Sequence, residues 1–132
     1  QNLKLFKKLN IWIEVTTLII PTINDSDEEL TKIAKFIVDE LSITTPWHLS
    51  AFHPDYKLLD KPRTSINTLN RAYDIGIKAG LKYVYKGNTQ QENKTLCSKC
   101  GYHISSRITY KTIKDNRKNG NRCPKCDTIL DG

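Results

Sequence analysis

The sequence predicts an α/β fold, a parallel sheet with crossover helices, followed by a small module built on cysteine. Two observations carry this. Segments with strand-like and helix-like apolar periods alternate from Ile11 to Gly87 in the order strand, helix, strand, helix, strand. All four cysteines then fall in two C-x-x-C pairs, Cys97 with Cys100 and Cys123 with Cys126. The boundary follows from that order: residues 1–88 hold the strands and helices, and residues 89–132 the cysteine module.

The opening "LKLFKKLNIWIEV" reads as the end of a helix running into a strand. From Ile11 to Ile20, "IWIEVTTLII" is rich in β-branched residues and stops at Pro21, as a largely buried strand does. Alternation places Glu14, Thr16, Leu18 and Ile20 on one face and Ile13, Val15, Thr17 and Ile19 on the other. In "INDSDEEL", Ser26 and Glu29 have capping-box spacing, with acidic residues in the first helical turn where the helix dipole favours them. Leu30, Ile33, Ala34, Ile37, Val38 and Leu41 then recur as one buried helical face. "WHLSAF", Trp47 to Phe52, is a second strand, and "HPDYKLLDKPRTS" a long loop. Ile66, Leu69, Tyr73 and Ile77 mark a second amphipathic helix that Gly80 terminates in the left-handed conformation. "LKYVYKG" is the third strand. Three such strands with two helices leave strand edges unpaired and one face partly uncovered, which predicts further strands before Gln1. A chain that holds no methionine and opens on a helix end reads as a piece of a longer protein.

Composition narrows the classes. With 38% hydrophobic residues and no apolar run of bilayer length, a membrane span is not expected. The absence of a leader pattern, with four cysteines spaced for metal, predicts a reducing, cytoplasmic setting rather than disulfides. The formal charge of +7 is uneven: residues 1–80 hold ten basic and ten acidic side chains, and residues 81–132 eleven against four. Four thiolates around one divalent ion reduce that tail to about +5.

The C-x2-C-x22-C-x2-C spacing is that of a closed four-cysteine site, in which each pair forms a knuckle presenting two sulfurs. A structural zinc ribbon and a rubredoxin-like iron site share this pattern, since a tetrahedron of sulfur suits Zn2+ and Fe alike. Arg107, Lys111, Lys114, Arg117, Lys118 and Arg122 open a nucleic-acid alternative. Few rings stand among them for base stacking, only Tyr102 and Tyr110 besides His103, so a solvated loop between knuckles is the simpler expectation. Glu14 within an apolar strand calls for a polar cavity or a basic partner. His48 and His53 bracket the second strand, and His53 begins the loop at its C-terminal end, where α/β sheets and barrels place ligand sites. Asp55, Tyr56 and Asp60 follow in the same loop, with solvation as their default explanation.

Taken together, "WIEVTTLIIPTINDSDEEL", "PWHLSAFHPDYKLLDKPRT", "LKYVYKGN" and the paired knuckles resemble the C-terminal part of a radical SAM enzyme. More narrowly, they resemble the radical SAM enzyme of the AmmeMemoRadiSam system, a relative of the pyruvate formate-lyase activating enzymes. The resemblance runs from Ile11 through Cys126. It implies a partial (β/α) barrel whose last three strands lie here, followed by the four-cysteine module. It also implies a [4Fe-4S] cluster on a C-x3-C-x2-C motif and reductive cleavage of S-adenosylmethionine to a 5′-deoxyadenosyl radical. That motif is absent from these residues, so the resemblance places the cluster ligands upstream and predicts that this chain alone is inactive. Carried over residue by residue, Thr16 and Leu18 would lie against S-adenosylmethionine, and His53 would contact its adenosine part. Partners implied are the N-terminal part of the same enzyme and the system's two companion proteins, though no residue here marks a docking surface. Two positions depart from the family pattern: Thr22 stands in "PTIND" where glycine is usual, and Asp127 replaces the glycine usual after the second knuckle. Each is expected at a turn of positive φ.

Overall fold

In a computed structural model that describes residues 2–55 and 58–131, the chain divides at residue 88 into two units. The first holds three parallel strands, β1 (Val15–Ile19), β2 (Trp47–Ala51) and β3 (Val84–Gly87), hydrogen-bonded in sequential order. Register is continuous across them: Thr16 pairs with His48 and His48 with Tyr85, while Leu18 pairs with Ser50 and Ser50 with Gly87. A short helix, α1 (Asn2–Lys8), precedes β1. β1 is shorter than its composition predicts, because Ile11 to Glu14 lie outside the ladder and Ile11 and Trp12 stand half exposed. An apolar run states burial tendency, whereas a strand also needs a neighbour for each amide; β1 first borrows one where Val15 N–H donates to Pro46 O, 2.9 Å.

Helix α2 (Asp27–Phe36) starts where Ser26 Oγ accepts from the Glu29 amide, 3.3 Å. It continues into one π-helical turn, Ile37–Leu41, closed by Ser42 N–H donating to Ile37 O at 2.9 Å. Leu30, Ala34, Ile37 and Leu41 are buried, with Ile33 and Val38 at the edge of the core. Helix α3 (Ile66–Ala79) is capped by Ser65 and ends on Gly80 at φ 110°. Its buried stripe differs from the expected one. Leu69, Ala72 and Gly76 face inward, while Ile66 and Ile77 stay about two-fifths exposed. The reason is close approach: a Cβ on Gly76 would lie 3.0 Å from both Trp47 Cε3 and Val84 Cγ2, so small residues carry the contact.

Ile19, Trp47, Leu49, Ala51 and Val84 share one core with both helices. The indole of Trp47 is wholly buried, and its Nε1–H donates to Thr17 Oγ1 at 2.9 Å, which satisfies the one polar atom it takes inside. Alternation then assigns Thr16, Leu18, His48, Ser50, Tyr85 and Gly87 to the opposite face, which carries no helix of this unit.

The second unit is an antiparallel sheet of β4 (Glu92–Leu96), β5 (His103–Ile108) and β6 (Lys111–Asp115) in that order. The stretch between knuckles is therefore a hairpin, not the solvated loop expected from its charge. Thr109 at φ 52° and Tyr110 make its two-residue turn, and Ile104 and Ser106 bury one face of β5 between charged neighbours. No helix among the described residues is long and apolar enough to cross a membrane.

Candidate functional site

The four cysteines converge because two knuckles are built alike. Cys97 N–H donates to Tyr102 O (2.8 Å) and Gly101 N–H to Cys97 O (2.9 Å); Cys123 N–H donates to Thr128 O (2.9 Å) and Asp127 N–H to Cys123 O (3.0 Å). Each turn closes on a left-handed residue, Gly101 at φ 70° and Asp127 at φ 59°. Thr22 also sits at φ 67°, so both positions at which the resemblance leads one to expect glycine hold the backbone that glycine favours. Asp127 is secured there: Arg122 donates to its carbonyl at 2.9 Å, and its carboxylate lies 3.4 Å from Arg122 and 3.6 Å from Lys118.

All four sulfurs lie within 4.8 Å of one another, and Cys97 is 3.7 Å from Cys126 and Cys100 3.6 Å from Cys123. A tetrahedron with Zn–S bonds of ~2.3 Å has sulfur–sulfur edges of about 3.8 Å, so the cage has the size of a single metal ion. These spacings are far beyond a disulfide bond of about 2.05 Å, and all four cysteines are free. The residues fit the ion. It would have four thiolate ligands, no open position and hence a folding role.

Electrostatics point the same way. Thr128, whose hydroxyl lies 3.3 Å from Cys126 Sγ and whose amide also bonds it, lowers that thiol to about 6. At Cys100 the Tyr102 amide also favours the thiolate, but burial and the neighbouring sulfurs outweigh it and push the thiol up to about 12. One thiolate is readily held and the next is opposed, which a divalent cation relieves. Apart from Cys97 and Cys123, the buried hydrophobic residue around the cage is, among the described residues, Ile104 alone, with Leu130 packed at its edge.

Of the six basic residues singled out, three are engaged locally. Arg117 clasps Asp115, holding that carboxyl down at about 2, and Lys118 and Arg122 hold Asp127. Arg107 has a partner within the protein, while Lys111 and Lys114 project from the exposed strand β6. Tyr110, at the hairpin tip, is fully exposed.

In the first unit Thr16 and Leu18 stand exposed on the open sheet face, and His53 lies exposed two residues beyond β2. Glu14 finds its partner in His48, with Oε2 2.7 Å from Nε2. Asp60 lies 3.6 Å from Lys61, the Asp55 backbone carbonyl accepts from the Leu58 amide at 3.1 Å, and Tyr56 lies outside the described residues. Three residues not singled out from the sequence tie the C-terminal strand ends together. Asn24 accepts from Ile20 N–H (2.7 Å) and donates to Leu18 O (3.0 Å). Buried Thr64 donates to Ile19 O (2.6 Å) and accepts from Phe52 N–H (2.8 Å), and Asn88 donates to Ala51 O (3.0 Å). For Asn88 the signal was present, an asparagine directly after β3, and for Asn24 it was an asparagine in the turn that follows Pro21. Thr64, within a polar loop, had none.

No protein-family model matches the chain, and no solved structure does. Among curated proteins it is 43% identical over 134 residues to an uncharacterized protein, MJ0808, of Methanocaldococcus jannaschii. That similarity takes in 99% of this chain, which spans 40% of the length of the relative it matches.

Proposed function

We propose that this chain supplies the late strands of a radical SAM barrel together with a zinc-held knuckle module, and that the chemistry belongs to the sheet rather than to the cysteines. The observation that carries the reading is the sheet: three parallel strands in sequential order, both crossover helices on one face, and Thr16, Leu18, His48, Ser50, Tyr85 and Gly87 on the other. A doubly wound sheet reverses strand order and covers both faces; a barrel keeps one order and turns its bare face inward. The resemblance stated above supplies the cofactor. When bound, S-adenosylmethionine would supply radical chemistry together with a [4Fe-4S] cluster held upstream. Thr16, Leu18 and His53 would line part of its pocket, and Asn24, Thr64 and Asn88 would fix the strand ends that form its rim. The relative is about two and a half times as long, which accords with a larger enzyme whose other part carries the cluster. A reducing, cytoplasmic setting fits four free thiols.

For the cysteine cage we propose Zn2+ over iron. Four protein thiolates close the coordination sphere and little else fills the core around them, so a redox-inert ion serves the fold fully. One zinc per chain in colourless protein is the expected result, and a coloured ferric spectrum at one iron per chain would replace it with the electron-transfer reading. Calorimetric titration of the longer, cluster-loaded polypeptide with S-adenosylmethionine tests the barrel. Leu18→Asp is expected to weaken binding at least about tenfold by placing a charge against the ligand. Equal affinity in the variant and parent would count against the assignment.

A further inference from the structure

The open sheet face carries polar groups that neither the cage nor the cofactor contacts use. Glu14 accepts from two donors, Trp12 Nε1–H at 3.0 Å on one oxygen and His48 Nε2–H at 2.7 Å on the other. In a neutral imidazole, an Nε2 proton committed to a carboxylate leaves the lone pair at Nδ1. Among the described residues that nitrogen has no hydrogen-bond partner. The ring is held from the side by Tyr85, with centroids 5.4 Å apart.

One register step toward the C-terminal strand ends the side chains become small, with Ser50 and Gly87 beside Leu18. Gly87 has no positive φ, and a Cβ built on it would meet nothing closer than 3.8 Å. Neither a positive φ nor packing calls for glycine at this last position of β3, and glycine in a strand accompanies a bulge, a tight bend or the close approach of a ligand or another backbone. Ser50 Oγ also has no hydrogen-bond partner among the described residues. The face offers no cation: Lys86 of β3 turns to the helix side, where it donates to Asn70 Oδ1 at 3.0 Å. Among the described residues of β1, β2 and β3 and the segment before β1, the carboxylate on this face is that of Glu14.

We infer that this face is a ligand site for a slim neutral group bearing an amide N–H, seated over Gly87 and Ser50 with its donor on His48 Nδ1, and that it rejects phosphate and carboxylate. Glu14 is the positioning residue that sets the imidazole's tautomer. The inference rests on the barrel reading only in naming the ligand as substrate.

The test uses the zinc-loaded chain with 15N-labelled histidine, titrated separately with N-methylacetamide and inorganic phosphate. The His48 ring nitrogens should report the Nε2–H tautomer, and N-methylacetamide should shift Nδ1 saturably while phosphate leaves it unmoved. Gly87→Val should weaken the amide response at least about tenfold with an unchanged melting temperature. Glu14→Gln should mix the tautomers and weaken the response several-fold. A larger response to phosphate, no saturable response to the amide, or an unaffected Gly87→Val variant would overturn the inference. Should the longer polypeptide fail to bind S-adenosylmethionine while the amide still binds here, the barrel reading falls and the ligand site stands; the opposite pair of results removes the site alone.

Discussion

Single residues decide two turns of this chain. Thr22 and Asp127 both sit in left-handed backbone without the freedom of glycine, at φ 67° and 59°. A residue with a Cβ there costs roughly 1–2 kcal/mol, and glycine gives back about 0.5–1 kcal/mol through its more mobile unfolded state. Thr22→Gly should therefore stabilise the first unit by about 0.5–1 kcal/mol, since the Thr22 amide keeps its bond to Asp25 Oδ1 at 2.8 Å whatever the side chain. Thermal denaturation should show a melting temperature a few degrees higher; a lower one would mean that the threonine side chain contributes something its exposed position does not reveal. Asp127→Gly should change less. It relieves the same backbone cost but removes a carboxylate held by Lys118 and Arg122, a surface network of the kind that contributes up to about 1 kcal/mol. Both turns were legible as departures from a glycine pattern. The Thr64 clamp was not, because nothing in the order of residues records which amide a distant hydroxyl will reach.

At the scale of elements, pattern specified the secondary structure better than it did the buried face. α2 begins at the serine that its capping spacing marks, and α3 ends on Gly80 as expected, with Ser65 as its N-cap. Yet Ile66 and Ile77 are exposed while Ala72 and Gly76 are inside. Counting large apolar residues finds where a helix could bury mass, but helix-to-sheet distance is set by the opposing side chain, here Trp47. The consequence is testable. Gly76→Ala gains about 1 kcal/mol of helix propensity but drives a methyl to 3.0 Å from the indole and from Val84, and overpacking of this kind costs about 1–3 kcal/mol. The expected net is a loss of up to about 2 kcal/mol by denaturant unfolding, and a gain would show that Trp47 can retreat. The turn before α2 is tied in another way: Arg71 of α3 bonds Asp27 Oδ1 at 2.9 Å and Asp25 O at 2.6 Å, so α3 also braces the turn that carries Thr22. In the second unit the charge of residues 103–115 hid a hairpin, because β5 buries only Ile104 and Ser106 between His103, Ser105 and Arg107, a weak apolar contrast, and every residue of β6 is exposed.

For the molecule as a whole, the two units rest on different physics. The first has a core of a dozen buried side chains, whereas the second buries Cys97, Ile104 and Cys123. A core of that size does not hold three strands without its ion. Chelation, or Cys123→Ser, should unfold residues 89–132 and leave the amide spectrum of residues 1–88 in place; loss of both together, or of neither, would contradict the division of labour. Acid should act through the same route. Asp115, held at about 2 against an ordinary 3.8, contributes stability above pH 3.8 that is lost as pH falls through 2. Thiolates bound to a metal compete with protons at higher pH, so the ion should leave first. Zinc release and loss of the hairpin should share one midpoint, which Asp115→Asn does not move. The cage was fully legible in the sequence, since C-x-x-C spacing encodes its own geometry. The sheet's open face was legible only as alternation; the pairing of Glu14 with His48 and the recess beside Gly87 required the register of three strands.

The central claim is that the chemistry lies in a barrel to which this chain contributes strands, and that the cysteines only fold their own module. Its most direct measurement is 5′-deoxyadenosine formed from S-adenosylmethionine under a strong reductant. The longer, cluster-loaded polypeptide should form it and these 132 residues alone should not; formation by the isolated chain, or by neither protein, would contradict the account.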